Sequence, residues 1–283
     1  MVKFEKNQNR TALLIRIFIV VAALVLWELA ARFSWYNPFF TSYPSEIALD
    51  LVLFAESGDL FYHTSITLSE AFSGLLYGTL AGIILAVIFG QFSLFGKVLT
   101  PIVSAINCIP QLALAPVYIL WFGVGMTSKI FLSGLMVFFC VFFSTYNAIR
   151  GTDQELIDSA HLLGAQKIQT LRHVILPYCM PWIFSGIRAG VGACMVGAII
   201  GEYMGAAGGF GWMVTYATNF FMIRRVMSCI LILLVVGLLL NWILDRIEAR
   251  ILRWRPQINL SMEQGTQQTS GAAASPASNP SFT

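Results

Sequence analysis

Residues 158–177 read D-S-A-H-L-L-G-A-Q-K-I-Q-T-L-R-H-V-I-L-P, and they belong to a polar stretch between two long apolar runs. Upstream, Thr152 and Glu155 have the S/T-x-x-E spacing of a capping box, which predicts that a helix starts there. One apolar face is formed at near-helical spacing by Leu156, Ile157, Ala160, Leu163 and Gly164. Gly164 can end this helix or let another backbone approach closely. The alternative interpretation of residues 158–177 is an amphipathic connector that lies on the membrane surface.

The composition indicates a polytopic membrane protein. Hydrophobic residues make up 57% of the chain and charged residues 11%, whereas a soluble domain has about 25% charged residues. The mean hydropathy of +0.75 agrees. The net charge of +3 gives no indication of a nucleic-acid partner. The five cysteines lie in or beside apolar runs without a C-x-x-C pattern, so neither a disulfide nor a metal site is expected.

Six apolar runs are candidate membrane helices, since a span needs about 20 mostly apolar residues. They lie at about 13–33, 66–90, 111–122, 130–149, 179–203 and 226–244. The start of the third is the least defined boundary, because Pro101, Pro110 and Pro116 interrupt its surroundings. The predicted fold is therefore an all-α, polytopic membrane bundle of six transmembrane helices. The basic residues before the first run resemble a signal peptide, but the run continues past Trp27 without a clear cleavage site, which favours an uncleaved helix.

Charge bias predicts the orientation of these spans. With the N-terminus inside, 13 basic residues lie on the cytoplasmic side and only Arg32, Lys129, Arg224 and Arg225 lie outside. Both termini and the loop at about 150–177 are then cytoplasmic. Residues 1–34 are predicted as the N-terminal segment with the first span, 35–255 as the core and 256–283 as a disordered cytoplasmic tail.

Two runs of small residues repeat every four positions. The first comprises Gly74, Gly78, Gly82, Ala86 and Gly90, and the second Ala189, Ala193, Gly197, Gly201 and Gly205. Such stripes let helices approach closely in lipid, either as static packing or as surfaces that slide during transport. Glu202 follows the second stripe, and an acidic residue at membrane depth is a functional candidate. Alternatively, Glu202 is an interfacial carboxylate in contact with water at the helix end. Arg188, on the same predicted span, can extend its side chain to the inner surface.

An ATP-binding or catalytic site is not indicated by the sequence. Residues 90–97, G-Q-F-S-L-F-G-K, have five residues between the glycines where a P-loop has four, and valine follows the lysine. The histidines His63, His161 and His173 are scattered, and we find no nucleophile–base arrangement. We therefore expect a chain without catalytic residues, metal ligands or cofactors.

The 158–177 segment resembles the cytoplasmic EAA loop of bacterial ATP-binding-cassette (ABC) importer permeases, E-A-A, three residues, Gly, nine residues, I-x-L-P. Asp, Ser and Val replace three of the pattern residues here, at Asp158, Ser159 and Val174. The runs I-P-Q-L-A-L-A-P (109–116) and L-W-F-G-V-G (120–125) are similar to one subfamily, which imports nitrate, sulfonates, taurine and related solutes, thiamine precursors and riboflavin. Residues 43–47, Y-P-S-E-I, are similar to the P-S-P-x-E/V element that precedes the second helix in this family.

This resemblance implies a MetI-like permease fold in the bacterial inner membrane. It implies that the loop docks on a separate cytoplasmic ABC ATPase, present in two copies. The implied coupling residues are Asp158, Ser159, Ala160, Gly164, Ala165, Val174, Leu176 and Pro177. The implied pathway and packing residues are Ala193, Gly197, Gly201, Glu202 and Gly205. Other implied partners are a periplasmic or lipid-anchored substrate-binding protein, membrane lipid and a second permease copy in a homodimer.

The resemblance implies import of a small solute, either a nitrate-, sulfonate- or taurine-like anion or a compound like a thiamine precursor or riboflavin. The alternative function is a secondary transporter that uses Glu202 for proton coupling. A dependence of transport on ATP or on a proton gradient separates the two functions.

Overall fold

The computed structural model describes residues 2–254, and within this range the chain is helical without strands. The α-helices are α1 (Val2–Arg32), α2 (Pro38–Thr41), α3 (Pro44–Glu56), α4 (Asp59–Gln91), α5 (Ser93–Asn107), α6 (Gln111–Phe122), α7 (Met126–Arg150), α8 (Gln154–Leu162), α9 (Lys167–Thr170), α10 (Leu176–Gly205), α11 (Phe210–Asn219) and α12 (Ile223–Ile251). A π-helical turn (Leu171–Ile175) joins α9 to α10, and a 3-10 turn (Leu252–Trp254) follows α12. The predicted tail, 256–283, lies outside the described residues.

Within residues 2–254, five helical segments are long and apolar enough to cross a membrane, and the bent pair of α5 and α6 makes a sixth if the pair is counted as one span. The five are Leu14–Arg32, Asp59–Gln91, Met126–Arg150, Lys167–Gly205 and Ile223–Ile251. The predicted all-α membrane bundle is confirmed. The chain divides into two units at Asp245, and the described part of the second, 246–254, consists of the end of α12 and the 3-10 turn.

The third predicted run, 111–122, coincides with α6, but the candidate span that contains it is the bent pair of α5 and α6. Helices α5 and α6 meet at an angle of 93°. Pro110 stands between them with an extended backbone, and a proline both lacks an N–H and disfavours helix at the residue before it. Helix α6 alone has 12 residues, or about 18 Å, which is too short for a hydrocarbon core of about 30 Å.

The fifth predicted span begins earlier than expected. A single helical segment runs for 39 residues, Lys167–Gly205, through Pro177, whereas we predicted a span at about 179–203. Pro177 lies directly after the π-helical turn, and the helix continues through it although the missing N–H removes one helical hydrogen bond. Helices α2, α3 and α11 were not predicted, because runs of this length fall below the size of a membrane span.

Helix α7 lies at the centre, with α4 parallel to it on one side and α10 antiparallel on the other. The main apolar cluster is shared by the three helices and contains Ala71, Val137, Val141, Cys194, Met195 and Ala198. The α4 stripe lies against α7, where a Cβ on Gly78 would overlap the carbonyl oxygen of Gly134. The α10 stripe lies against α7 as well, since a Cβ on Gly197 would come 2.6 Å from the Ser133 Cα.

This arrangement defines two ends of the bundle. At the loop end, α7 finishes and α8 begins, whereas at the far end α4 and α7 begin and α10 finishes. Helices α1 and α12 lie at the periphery, where only 6% and 11% of their apolar windows are buried within the chain. Helix α1 is tied to α3 because Ser45 Oγ and Ser45 N donate to the Glu28 carboxylate over 2.9 and 3.1 Å.

A single methyl group at Gly197 tests the close packing of α10 on α7. We expect Gly197→Ala to lower stability by about 1–3 kcal/mol, because the helices must separate to admit it. Gly192→Ala is the matched control, since nothing lies within 4 Å of its Cβ position on the same helix. Thermal unfolding of both variants in detergent, monitored by size-exclusion chromatography, gives their unfolding midpoints. Equal midpoints for the two variants would show that α10 tolerates the displacement.

Candidate functional site

The loop between α7 and α10 starts with a helix cap that differs from the prediction. Asp153, rather than Thr152, caps α8, and its carboxylate accepts from the Glu155 N–H over 3.0 Å. Thr152 is buried, and its hydroxyl donates to the carbonyl of Ala148 over 3.1 Å. The predicted capping box is therefore wrong, because the threonine side chain closes the end of α7 instead.

Gly164 ends α8, as one of the two readings of the sequence expected. Its φ of +82° is in the left-handed region, where glycine has no steric penalty. The Gly164 N–H donates to the His161 carbonyl over 2.9 Å, and the Ala165 N–H donates to the Ala160 carbonyl over 3.0 Å. This pair of bonds is a Schellman motif. A Cβ on Gly164 would meet nothing within 4 Å, so the chain itself leaves the space beside it open.

The tip of the loop exposes large apolar side chains. Leu162 and Leu163 are 89% and 88% exposed, and Ile168 is 78% exposed. Apolar side chains so prominent on a polar loop mark an interaction surface. Leu162, Leu163 and Ile168 were all missing from the predicted coupling residues, although the apolar residues beside Gly164 in a polar loop could have indicated them.

The base of the loop is anchored while its tip is free. Ile157 and Leu171 pack against the buried cluster of Ala148, Ile149, Ile175, Cys179 and Ile183. The predicted coupling residues follow this division. Asp158, Ser159 and Gly164 are exposed, and Ala160, Ala165, Val174, Leu176 and Pro177 are half-buried. Their role in coupling stays a prediction.

A buried ion pair lies near the far end. Lys129 Nζ is 3.2 Å from Glu70 Oε1, and the two side chains are 7% and 1% exposed. The sequence placed Lys129 at the outer border of a span, but Lys129 lies inside the bundle. Burial of either charge without its partner would cost several kcal/mol, and this cost favours the paired arrangement.

Glu202 joins the same region and fixes the start of α11. Its carboxylate accepts from the Thr67 hydroxyl over 2.7 Å and from the Gly211 N–H over 2.6 Å. Thr67 Oγ1 in turn accepts from the Phe210 N–H over 2.9 Å, and His63 Nδ1 accepts from the Gly209 N–H over 3.0 Å. Three successive N–H groups at the N-terminus of α11 are thus satisfied by side chains of α4 and α10.

Glu202 is 1% exposed, so the alternative of a carboxylate in water is wrong. Of the other predicted pathway residues, Gly197 and Gly201 lie against α7, and Gly205 lies near Val124 of the α6–α7 turn. Ala193 is half-buried. Close helix contact on the stripe is observed, whereas its role in a transport pathway stays a prediction. Arg188 forms an ion pair with Asp245 at 2.8 Å.

Metal-binding chemistry is not indicated within residues 2–254, where no group of three or more His, Cys, Asp or Glu side chains is placed to hold an ion. The described residues thus present an exposed apolar loop tip at one end of the bundle and a buried polar cluster at the other.

Residues 78–253 match the family described as binding-protein-dependent transport system inner membrane component. The chain belongs to this family. It is consequently a multi-pass inner membrane permease component without catalytic activity, and ATP hydrolysis lies in a separate subunit. The fold agrees with the permease of a solved MetNI methionine ABC transporter in an inward-facing conformation, with a TM-score of 0.59 at 20% identity, covering 68% of this chain and 95% of that one.

Two relatives illustrate the range of the family. A putative aliphatic sulfonates transport permease from Bacillus subtilis is 30% identical, covering 90% of this chain and 92% of the relative. A riboflavin transport system permease from Chloroflexus aurantiacus is 32% identical, covering 82% of this chain and 86% of the relative. The permease assignment is thus shared by relatives with different named solutes.

The buried cluster gives a test of Glu202. We expect Glu202→Ala to destabilise the permease by about 1–3 kcal/mol or more, because the Thr67 hydroxyl and the Gly211 N–H lose a buried acceptor. Glu202→Gln keeps a carbonyl acceptor and should lose less. Glu56→Ala, at an exposed position on α3, is the control. The measurement is thermal unfolding in detergent, and equal stability of Glu202→Ala and the parent would contradict the assigned role.

Proposed function

We propose that this chain is the membrane-spanning subunit of an ABC importer that moves a small solute into the cytoplasm, driven by a separate ATPase. The observation that carries the proposal is the EAA-type loop, with its anchored base and exposed tip, in a chain of the permease family. The solute is either a nitrate-, sulfonate- or taurine-like anion or a compound like a thiamine precursor or riboflavin.

The proposed ATPase contact is the tip at Leu162, Leu163 and Ile168. These side chains have the size and exposure to fill a groove on a partner, and their burial would contribute about 1.5–3 kcal/mol each. Asp158 lies on the same short helix, where Gln154 donates to its carboxylate over 3.0 Å. The Schellman turn at Gly164 leaves the space beside it open for a partner backbone.

We propose a homodimer whose two loops meet two ATPases about a shared two-fold axis. Closure of the ATPases on ATP would draw the loops together and open the pathway outward, and hydrolysis would return it inward. A periplasmic or lipid-anchored binding protein would deliver the solute at the far end. The sparse burial of α1 and α12 within one chain is compatible with further helix contacts in such an assembly.

Family membership favours ATP-driven transport over the alternative of proton coupling through Glu202. The contacts of Glu202 also support a structural role, since its two oxygens accept from Thr67 and Gly211. Those bonds hold α11 in place.

Replacement of Gly164 by tryptophan tests the coupling proposal. We expect Gly164→Trp to abolish co-purification of the ATPase, because a side chain strains the left-handed backbone and fills the docking space. Gly58→Trp is the matched control, with a φ of +81°, equally open surroundings and a position at the far end. Both variants should insert at parental levels. Normal ATPase retention and uptake by Gly164→Trp would refute the assignment of the loop.

Cysteine labelling tests the orientation. In a background without the five native cysteines, Ser57→Cys should react on intact cells with a membrane-impermeant maleimide, and Gln166→Cys should not. Both positions are exposed, at opposite ends of the bundle. Permeabilised cells provide the control, where both must react. Labelling of position 166 from outside would invert the topology and remove the ATPase from its proposed site.

A further inference from the structure

Two carboxyl groups from different helices meet in the buried polar cluster at the far end of the bundle. Glu70 belongs to α4 and Glu202 to α10, and each is 1% exposed. The two groups lie close enough to each other to share a hydrogen bond. Two ionised carboxylates at this separation repel each other, and burial strengthens the repulsion because little water screens it. A second negative charge in this cluster therefore needs compensation.

One ammonium group is available for this compensation. Among residues 2–254, Lys129 is the basic side chain that lies beside both carboxyl groups. Its stem lies against α10, where a Cβ on Gly201 would come 2.8 Å from the Lys129 Cγ. Its Nζ is 3.2 Å from Glu70 Oε1. One positive charge against two carboxylates leaves an excess of one negative charge if both carboxyl groups are ionised.

The neighbouring titratable groups do not supply the missing positive charge. His63 Nδ1 accepts the Gly209 N–H over 3.0 Å, so this nitrogen carries no proton and the ring is neutral. The two charges that act on His63, those of Asp59 and Arg225, have opposite signs. Tyr203 on α10 is a phenol, which is uncharged at neutral pH. Helix α11 has no charged side chain and contributes backbone N–H groups.

The four carboxyl oxygens differ in their partners, and one of them has none. The Glu202 carboxylate accepts from the Thr67 hydroxyl and the Gly211 N–H. Glu70 Oε1 faces Lys129, whereas Glu70 Oε2 is buried without a hydrogen-bond partner among the described residues. A carboxylate oxygen can only accept, so it gains nothing from a second carboxylate beside it, but a protonated carboxyl group can donate. The unpartnered oxygen thus indicates where a proton is missing from the account of this cluster.

We infer that Glu70 and Glu202 hold one proton between them, with Glu70 Oε2 as the donor and the Glu202 carboxylate as the acceptor. This proton gives the unpartnered oxygen a hydrogen bond, and it makes the cluster of two carboxyl groups and Lys129 neutral. Glu202 is the acceptor because its two other hydrogen bonds stabilise the ionised form. A metal ion has little room there, since a Cβ on Gly209 would already overlap the Glu202 carboxylate.

The shared proton is a resident part of the folded permease and does not travel with the solute. The inference is therefore independent of which solute is transported and of what drives the transport. Its consequence is that α11 is attached to the bundle by a carboxylate whose charge is balanced only while the proton is present.

Infrared difference spectroscopy of the full-length permease tests the shared proton, because a carboxylic acid and a carboxylate have separate stretching bands. At neutral pH we expect a carboxylic acid band in the parent that is absent from Glu70→Gln. Glu202→Gln should lose the band as well, since Glu70 is then ionised by its pairing with Lys129. Glu56→Gln, at an exposed position on α3, is the control and should keep the band. A parent without the band, or a band that persists in either cluster variant, would overturn the inference.

The proton also predicts how stability depends on pH. A folded state that binds one proton more than the unfolded chain becomes less stable as the pH rises, by up to about tenfold in the unfolding equilibrium per pH unit. The parent should therefore lose stability from neutral to alkaline pH. Glu70→Gln should lack this loss, because its amide donates to Glu202 at every pH. Thermal midpoints in detergent across this range provide the measurement, and the same pH dependence in both proteins would count against a proton held at Glu70.

Discussion

The close approach of α4 and α10 to α7 is the constraint on which the remaining structure depends. Lipid provides no hydrophobic gain for helix association, so the helices gain attraction only where their backbones come near. Glycines provide that proximity on both sides, at Gly78 against Gly134 and at Gly197 against Ser133. The Ser133 hydroxyl adds a hydrogen bond to the Cys194 carbonyl over 3.1 Å. The three helices consequently form one unit that sets the positions of both functional ends.

The same proximity makes the polar cluster possible. Glu70, Lys129 and Glu202 come from three different helices, and each would be costly to bury alone. Their stabilisation depends on partners held at hydrogen-bonding distance, which a looser bundle could not provide. The cluster connects the transmembrane helices to α11 through Thr67 and backbone N–H groups. The orientation of α11 is thereby fixed by residues of α4 and α10.

The membrane spans and the loop could be predicted from the sequence, whereas the bend between α5 and α6 and the cap of α8 could not. Long apolar runs predict spans because burial of the backbone in lipid requires helix, and this holds wherever the run is continuous. Pro110 marked an interruption before the third run, but composition does not report the 93° angle between α5 and α6. Asp153 rather than Thr152 caps α8, and the Thr152 side chain is instead buried against the end of α7, where its hydroxyl donates to the Ala148 carbonyl. The burial of Glu202 depends on Thr67, 135 residues away, and no local pattern reveals such a partner.

Helix α9, the π turn and α10 form one continuous helical rod, and this continuity links the loop directly to the far end of the bundle. From Lys167 to Glu202 the rod extends about 50 Å at 1.5 Å per residue. Its helical hydrogen bonds resist stretching and unwinding, so a torque applied beside the loop tip is delivered to the opposite end as rotation. Glu202, near the end of this helical segment, accepts a hydrogen bond from the Gly211 N–H in the first turn of α11. The loop and the start of α11 are therefore joined by one continuous helix and one side chain.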